Sequence, residues 1–153
     1  MNRKTDKEEN RKMNKKKIIL VSHGGLSEGM FHSLQMILGD TPDLSFLGMN
    51  PGEHYQPMVD SVEQRLRENP DVQYLVIADL LGGSVCNGMS TLTHYSNMVL
   101  IAGMNMGLVI NLLLAPGPFT DHEINEKIEE AKAVNKRVIL VNTETVNDRE
   151  DFF

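Results

Sequence analysis

His23 directly follows an apolar run, Lys17-Ile18-Ile19-Leu20-Val21-Ser22, and Asp79 directly follows another, Val76-Ile77-Ala78. Both runs read as buried strands ending at turns rich in polar residues and glycine. In an open α/β sheet the ligand crevice lies beyond the carboxyl ends of the strands, so the two side chains are expected at one rim. A neutral imidazole, with an ordinary pKa of about 6.5, can attack an electrophilic phosphorus through one ring nitrogen while the other carries the proton. A carboxylate accepting that N–H fixes which nitrogen attacks and stabilises the cation that forms. The competing role for Asp79 is to cap the turn that follows the strand. Gly82, Gly83 and Ser84 come next, and backbone amides opening a helix suit a phosphoryl group of about −1.5 to −2 charge. Taken alone, a Gly-Gly-Ser is equally a tight turn with a capping serine.

Other chemistries lack their residues. No Lys follows the glycines as a Walker loop requires, and there is no G-x-G-x-x-G fingerprint. The His, Asp and Glu residues show no metal-ligand spacing, so neither a metal nor a cofactor is expected. Cys86, the single cysteine, excludes an internal disulfide and reads as a small buried filler. His32 and His94 fall within expected helices, and His54 and His122 near helix starts. His54 follows the Pro51-Gly52-Glu53 turn at the same rim as His23, which makes it a candidate peripheral contact, together with Ser22, Gly24 and Asn105.

The elements that position these groups alternate between apolar runs and segments of helical period, the pattern of βαβ units. Strands are expected at residues 17–21, 44–47, 74–78 and 98–102, and helices at 26–38, 55–66, 85–94, 105–114 and 121–135. Gly39 can end the first helix, and Thr120-Asp121-His122-Glu123 has the form of a capping box for the last. A short fifth strand is expected at residues 137–141. The fold class is α/β, three-layered and doubly wound, on a mostly parallel four-stranded sheet.

A length of 153 residues with 41% hydrophobic content fits one domain, placed at residues 17–143, between a charged leader (1–16) and a polar tail (144–153). The net charge of −6 is uneven. Residues 1–17 hold eight Lys or Arg against three acids (+5), and the remainder seven against eighteen (−11). The leader has mixed charges and no aromatic, so it reads as solvated chain and not as a nucleic-acid or membrane tether; no nucleic-acid partner is expected. It holds no apolar signal segment, and Met13 is an equally good start. The apolar stretch 98–115 is interrupted by Gly103, Asn105, Gly107 and Asn111, so it reads as strand, turn and helix, buried in a core or a subunit interface.

Several pieces together resemble the enzyme IIA components of the mannose, fructose and sorbose class of the bacterial phosphoenolpyruvate-dependent sugar phosphotransferase system. They are Ser22-His23-Gly24 with Ser27-Glu28-Gly29, the Pro51-Gly52-Glu53 turn, Asp79-Leu80-Leu81-Gly82-Gly83-Ser84 with Asn87, and Ile101-Ala102-Gly103-Met104-Asn105. The resemblance implies a phosphocarrier in which His23 accepts a phosphoryl group from phospho-HPr and passes it to an enzyme IIB partner. Asp79 would orient the ring, and Gly83 and Ser84 would lie against the phosphate. It also implies a homodimer that exchanges the fifth strand, and a cytoplasmic location, peripheral to the membrane through permease partners IIC and IID. Val85 and Gly107 stand where that class commonly has proline. The chain ends soon after the fifth strand, so no fused IIB domain is expected. Two other readings share these residues: the phosphocarrier subunit serving dihydroxyacetone kinase, and a regulatory sensor that keeps the crevice without turnover.

Overall fold

A computed structural model describes residues 13–139 of the chain. Four strands, β1 (Lys15–His23), β2 (Leu44–Met49), β3 (Val72–Ala78) and β4 (Met98–Ala102), alternate with helices α1 (Leu26–Leu38), α2 (Gln56–Glu68), α3 (Ser84–Ser90), α4 (Met106–Leu114) and α5 (Asp121–Lys132). The strands form one sheet in the order β2-β1-β3-β4, and every pairing is parallel. A parallel sheet needs cover on both faces, which explains why all seven residues of β3 are buried and why its sequence is apolar but for Gln73, whose amide pairs with the Phe119 backbone.

Alternate residues of each strand feed two cores. Ile19, Val21, Tyr74 and Val76 pack with Val59, Val62 and Leu66 of α2 and with Val85 and Met89 of α3. Ile18, Leu20, Leu75 and Ile77 pack on the other face with Leu34 of α1, Leu108 and Leu112 of α4 and Ile124 of α5. The expected three-layer, doubly wound class is the observed one. The chain leaves β1 toward one sheet edge, through β2, and returns past it to β3 and β4, so the winding reverses between the carboxyl ends of β1 and β3. That gap is where the topology opens a crevice.

Several boundaries differ from those the sequence suggests. β1 starts at Lys15, inside the expected leader, with Lys15, Lys16 and Lys17 in register with Val72, Gln73 and Tyr74. It also runs through Ser22 and His23, so the histidine is the last strand residue and not the first of the turn. α3 is shorter than 85–94: it ends at Ser90, leaving His94 in the turns that follow. α5 ends at Lys132, short of the expected 135. The capping box is present, with Thr120 Oγ1 accepting the Glu123 N–H at 3.3 Å and Glu123 Oε2 accepting the Thr120 N–H at 2.7 Å. Residues 135–139 have no regular structure in the single chain, and the rest of the expected fifth strand, like residues 1–12 and the tail, lies outside the described residues. Among the described residues no helix is long and apolar enough to cross a membrane.

Candidate functional site

Register brings the histidine and the acid together. The last β1–β3 partners are Val21 and Ala78, so His23, two residues on, and Asp79, one residue on, emerge side by side at the winding reversal. Asp79 Oδ2 accepts two hydrogen bonds from His23, one from the backbone N–H at 2.9 Å and one from ring Nδ1 at 2.8 Å. The two bonds fix both the ring's position and its rotation.

Burial pushes the Asp79 carboxyl toward a higher pKa, but the hydrogen bonds from the His23 backbone and ring outweigh it and hold the group below the ordinary carboxylate range. An ionised carboxylate only accepts, so the proton of the neutral imidazole sits on Nδ1 and the lone pair on Nε2. That nitrogen faces Ser84 Oγ at 3.1 Å. The two side chains differ in exposure: Asp79 is 10% exposed and His23 43%, so the carboxylate is largely enclosed and the far edge of the ring is open to solvent. Asp79 Oδ1 is buried with no hydrogen-bond partner among the described residues.

The loop after β3 is built to approach the ring. Gly82 has φ +80°, the left-handed region that a side chain would disfavour, and its carbonyl accepts from Asn87 Nδ2 at 3.2 Å. Gly83 enters differently from the amide donation expected of it. Its N–H closes the turn on the Leu80 carbonyl at 3.2 Å, and a Cβ at this position would stand 3.3 Å from His23 Cε1, so its lack of a side chain makes room for the ring. In the first turn of α3 the Ser84, Val85 and Cys86 amides have no acceptor among the described residues, and the first backbone bond of the helix is the Asn87 N–H to the Gly83 carbonyl at 2.9 Å.

The peripheral candidates have structural employment. Ser22 is fully buried, and its Oγ accepts the Ser27 N–H at 2.8 Å, satisfying a donor at the start of α1. Ser27, which sequence reasoning left without a role, in turn donates its hydroxyl to the Leu47 carbonyl at 2.9 Å. Gly24 donates its N–H to the Met49 carbonyl at 2.8 Å, tying the end of β1 to that of β2. Asn105 caps α4, its Oδ1 accepting from the Leu108 N–H at 3.0 Å. His54 Nδ1 accepts the Gln56 N–H at 3.1 Å, and its ring lines a cleft of about 410 Å³ with Gly48, Pro57 and Met58. No hydrogen bond among the described residues joins Asn105 or His54 to His23. No group of three or more His, Cys, Asp or Glu side chains among those residues could hold a metal ion.

A feature that sequence reasoning passed over is the apolar rim. Leu80 and Leu81, between Asp79 and the glycines, are 60% and 80% exposed, although leucines flanking a buried strand would ordinarily turn inward. The signal was present as two leucines placed directly after the site acid.

Comparison with known proteins supplies the family. The sequence pattern of the family described as PTS system fructose IIA component matches residues 17–132. The mannose-specific EIIAB component of Escherichia coli strain K12 is 25% identical over 103 residues, 64% of this chain and 31% of that protein. This chain therefore spans about a third of the length of that relative. The sorbose-specific EIIA component of Lacticaseibacillus casei is 22% identical over 142 residues, 89% of this chain and 99% of that protein. Among solved structures, the mannose/sorbose specific IIA subunit of the phosphotransferase system from Enterococcus faecalis has a TM-score of 0.73 at 28% identity, over 84% of this chain and 98% of that one. With the family pattern matched over residues 17–132, including the carboxyl ends of β1 and β3 next to which His23 and Asp79 lie, the chain belongs to the fructose IIA component family of the sugar phosphotransferase system.

Proposed function

We propose that the chain is a phosphocarrier that accepts a phosphoryl group from phospho-HPr on His23 Nε2 and delivers it to an enzyme IIB partner. The observation that carries this reading is the asymmetry of the His23 ring: Nδ1 is bound to a largely enclosed, ionised Asp79 at 2.8 Å, and Nε2 is turned outward with one hydroxyl neighbour among the described residues, Ser84. The N–P bond to the donor histidine breaks as the N–P bond to His23 Nε2 forms, and the donor ring leaves with its electron pair. The His23 proton stays on Nδ1, so the ring becomes cationic and its bond to Asp79 gains charge assistance. The Ser84 hydroxyl, which meets the lone pair at rest, turns to a phosphoryl oxygen, and the Ser84 and Val85 amides stand beside it. Transfer to the IIB partner runs through the same groups in reverse. Positioning and dipoles suffice because the donor phosphohistidine is already activated.

The partners that follow are phospho-HPr, a IIB protein and, through it, the membrane permease subunits IIC and IID; the compartment is the cytoplasm. The names of the similar proteins point to mannose or sorbose class transport systems. A homodimer is supported by the sheet order, which leaves β4 as an edge strand available to a strand from a second chain. The test is intact-protein mass after incubation with phosphoenolpyruvate, enzyme I and HPr. A single acid-labile phosphate on the native chain and none on His23→Ala is the expected result; a labelled His23→Ala would overturn the assignment.

A further inference from the structure

A second cavity, of about 300 Å³, lies at the opposite end of the sheet from His23, where the last turn of α2 crosses the amino ends of β2, β1 and β3. Its lining includes Lys17 from β1, Ser45 from β2, Tyr74 from β3, and Arg65 and Asn69 from α2 and its cap, with Asp43 at the margin. Pro42 and Leu44 add apolar wall. Six residues of strand at about 3.3 Å each separate Lys17 from His23, so the two sites are roughly 20 Å apart.

The chemistry of this cavity is unusual for an acid-rich body. Neither Lys17 nor Arg65 has a carboxylate within salt-bridge distance among the described residues, although residues 18–153 hold eighteen acids against seven bases. Arg65 donates one Nη1 bond to Ser45 Oγ at 3.0 Å, which fixes the guanidinium and leaves its other donors free of protein partners among the described residues. Ser45 accepts that bond, so its hydroxyl proton remains available to donate. The Arg65 carbonyl, at the negative end of α2, is covered by the Asn69 N–H at 3.1 Å and Asn69 Nδ2 at 3.0 Å, which leaves Asn69 Oδ1 as an acceptor. Burial raises the Tyr74 phenol above its ordinary pKa, so it stays a neutral donor.

Two unneutralised cations with hydroxyl donors fit a phosphate, and an adjacent carboxylate and amide oxygen fit alcohol groups. We propose that this cavity binds the phosphate monoester of a small polyol, its phosphate held by Lys17, Arg65 and Ser45 and its hydroxyls by Asp43 and Asn69. The site is separate from the transfer centre and its existence does not depend on the role of His23.

The experiment is a nuclear magnetic resonance titration of the full, ¹⁵N-labelled chain with fructose 1-phosphate, with glucose 6-phosphate, with inorganic phosphate and with glucose. Saturable shifts of the Lys17, Ser45, Asn69 and Tyr74 amides by a hexose phosphate are expected, with neither inorganic phosphate nor glucose matching its affinity. Arg65→Gln and Lys17→Met should each weaken binding about tenfold while phosphorylation from HPr is unchanged; Lys17→Met carries the test if Arg65→Gln fails to fold. Shifts confined to His23, Asp79 and Ser84, equal affinity for inorganic phosphate, or no saturation below about 10 mM would each overturn the proposal.

Discussion

Asp79→Asn separates orientation and charge from shape. The carboxamide is nearly isosteric, but Asp79 Oδ2 takes two bonds from His23, at 2.9 and 2.8 Å, while Oδ1 is buried without a partner among the described residues. If the asparagine oxygen replaces Oδ2, its NH₂ occupies that partnerless position and costs about 1–3 kcal/mol as a buried donor. If the amide turns over, two N–H donors of His23 face an NH₂, and the ring must place its proton on Nε2, where it blocks attack. Even in the favourable orientation the imidazolium formed during transfer loses a hydrogen bond to a charge, about 1.5–3 kcal/mol. At 1.36 kcal/mol per tenfold in rate, transfer should slow by about 10- to 150-fold. The carboxylate is only 10% exposed, so solvent screening discounts this little. The assay is rapid-quench measurement of phosphoryl transfer from phospho-HPr, with circular dichroism and melting to show that the fold is retained. A folded variant transferring within about twofold of the native rate would refute the reasoning.

Three further outcomes follow. Asp79 titrates below the ordinary carboxylate range in the folded chain, so its stabilisation is present above the unfolded pKa and is lost as pH falls through the folded value. The stability difference between the native chain and Asp79→Asn, read from urea melts, should therefore shrink as the pH is lowered below about 4; a difference undiminished by full protonation of the carboxyl contradicts the assigned bonds. Gly83→Ala places a Cβ 3.3 Å from both His23 Cε1 and the Leu80 carbonyl, so it should shift the ring and slow transfer about tenfold with the melt little changed. Thr120→Ala breaks the capping box of α5 and should cost about 1 kcal/mol, seen as a melting temperature lower by roughly 2–6 °C with transfer intact.

The pairing of His23 with Asp79 was legible because both follow continuous apolar runs, and parallel strands carry their carboxyl ends to one rim. What the sequence hid was local competition for hydrogen bonds. Residues 91–94 look compatible with a longer α3, yet Ser90 Oγ donates to the Asn87 carbonyl at 2.6 Å, and the Thr91 and Thr93 hydroxyls donate to the Gly88 and Ser90 carbonyls at 2.8 Å. Side chains that take over backbone acceptors favour turns, and the helix stops at Ser90. Likewise Lys15 and Lys16 read as solvated leader on charge alone. Their backbone extends β1, and Lys16 lays its stem along Gly117 while its ammonium reaches the Leu113 carbonyl at 3.3 Å and stands 5.7 Å from the centre of the Phe119 ring. Ser22 and Asn105 lie in site-like motifs, but their polar atoms are used to begin α1 and α4, a distinction that residue type cannot make.

The claim at the centre of this account is that Asp79 holds the proton on His23 Nδ1 so that Nε2 takes the phosphoryl group. It is tested most directly by phosphorylating ¹⁵N-histidine-labelled chain with phosphoenolpyruvate, enzyme I and HPr, then identifying the phosphorylated nitrogen by phosphorus and nitrogen magnetic resonance. Phosphorus bonded to His23 Nε2, with Nδ1 still protonated, is the predicted result. Phosphorus on Nδ1 of His23, on another histidine, or on none while HPr is itself phosphorylated would contradict it.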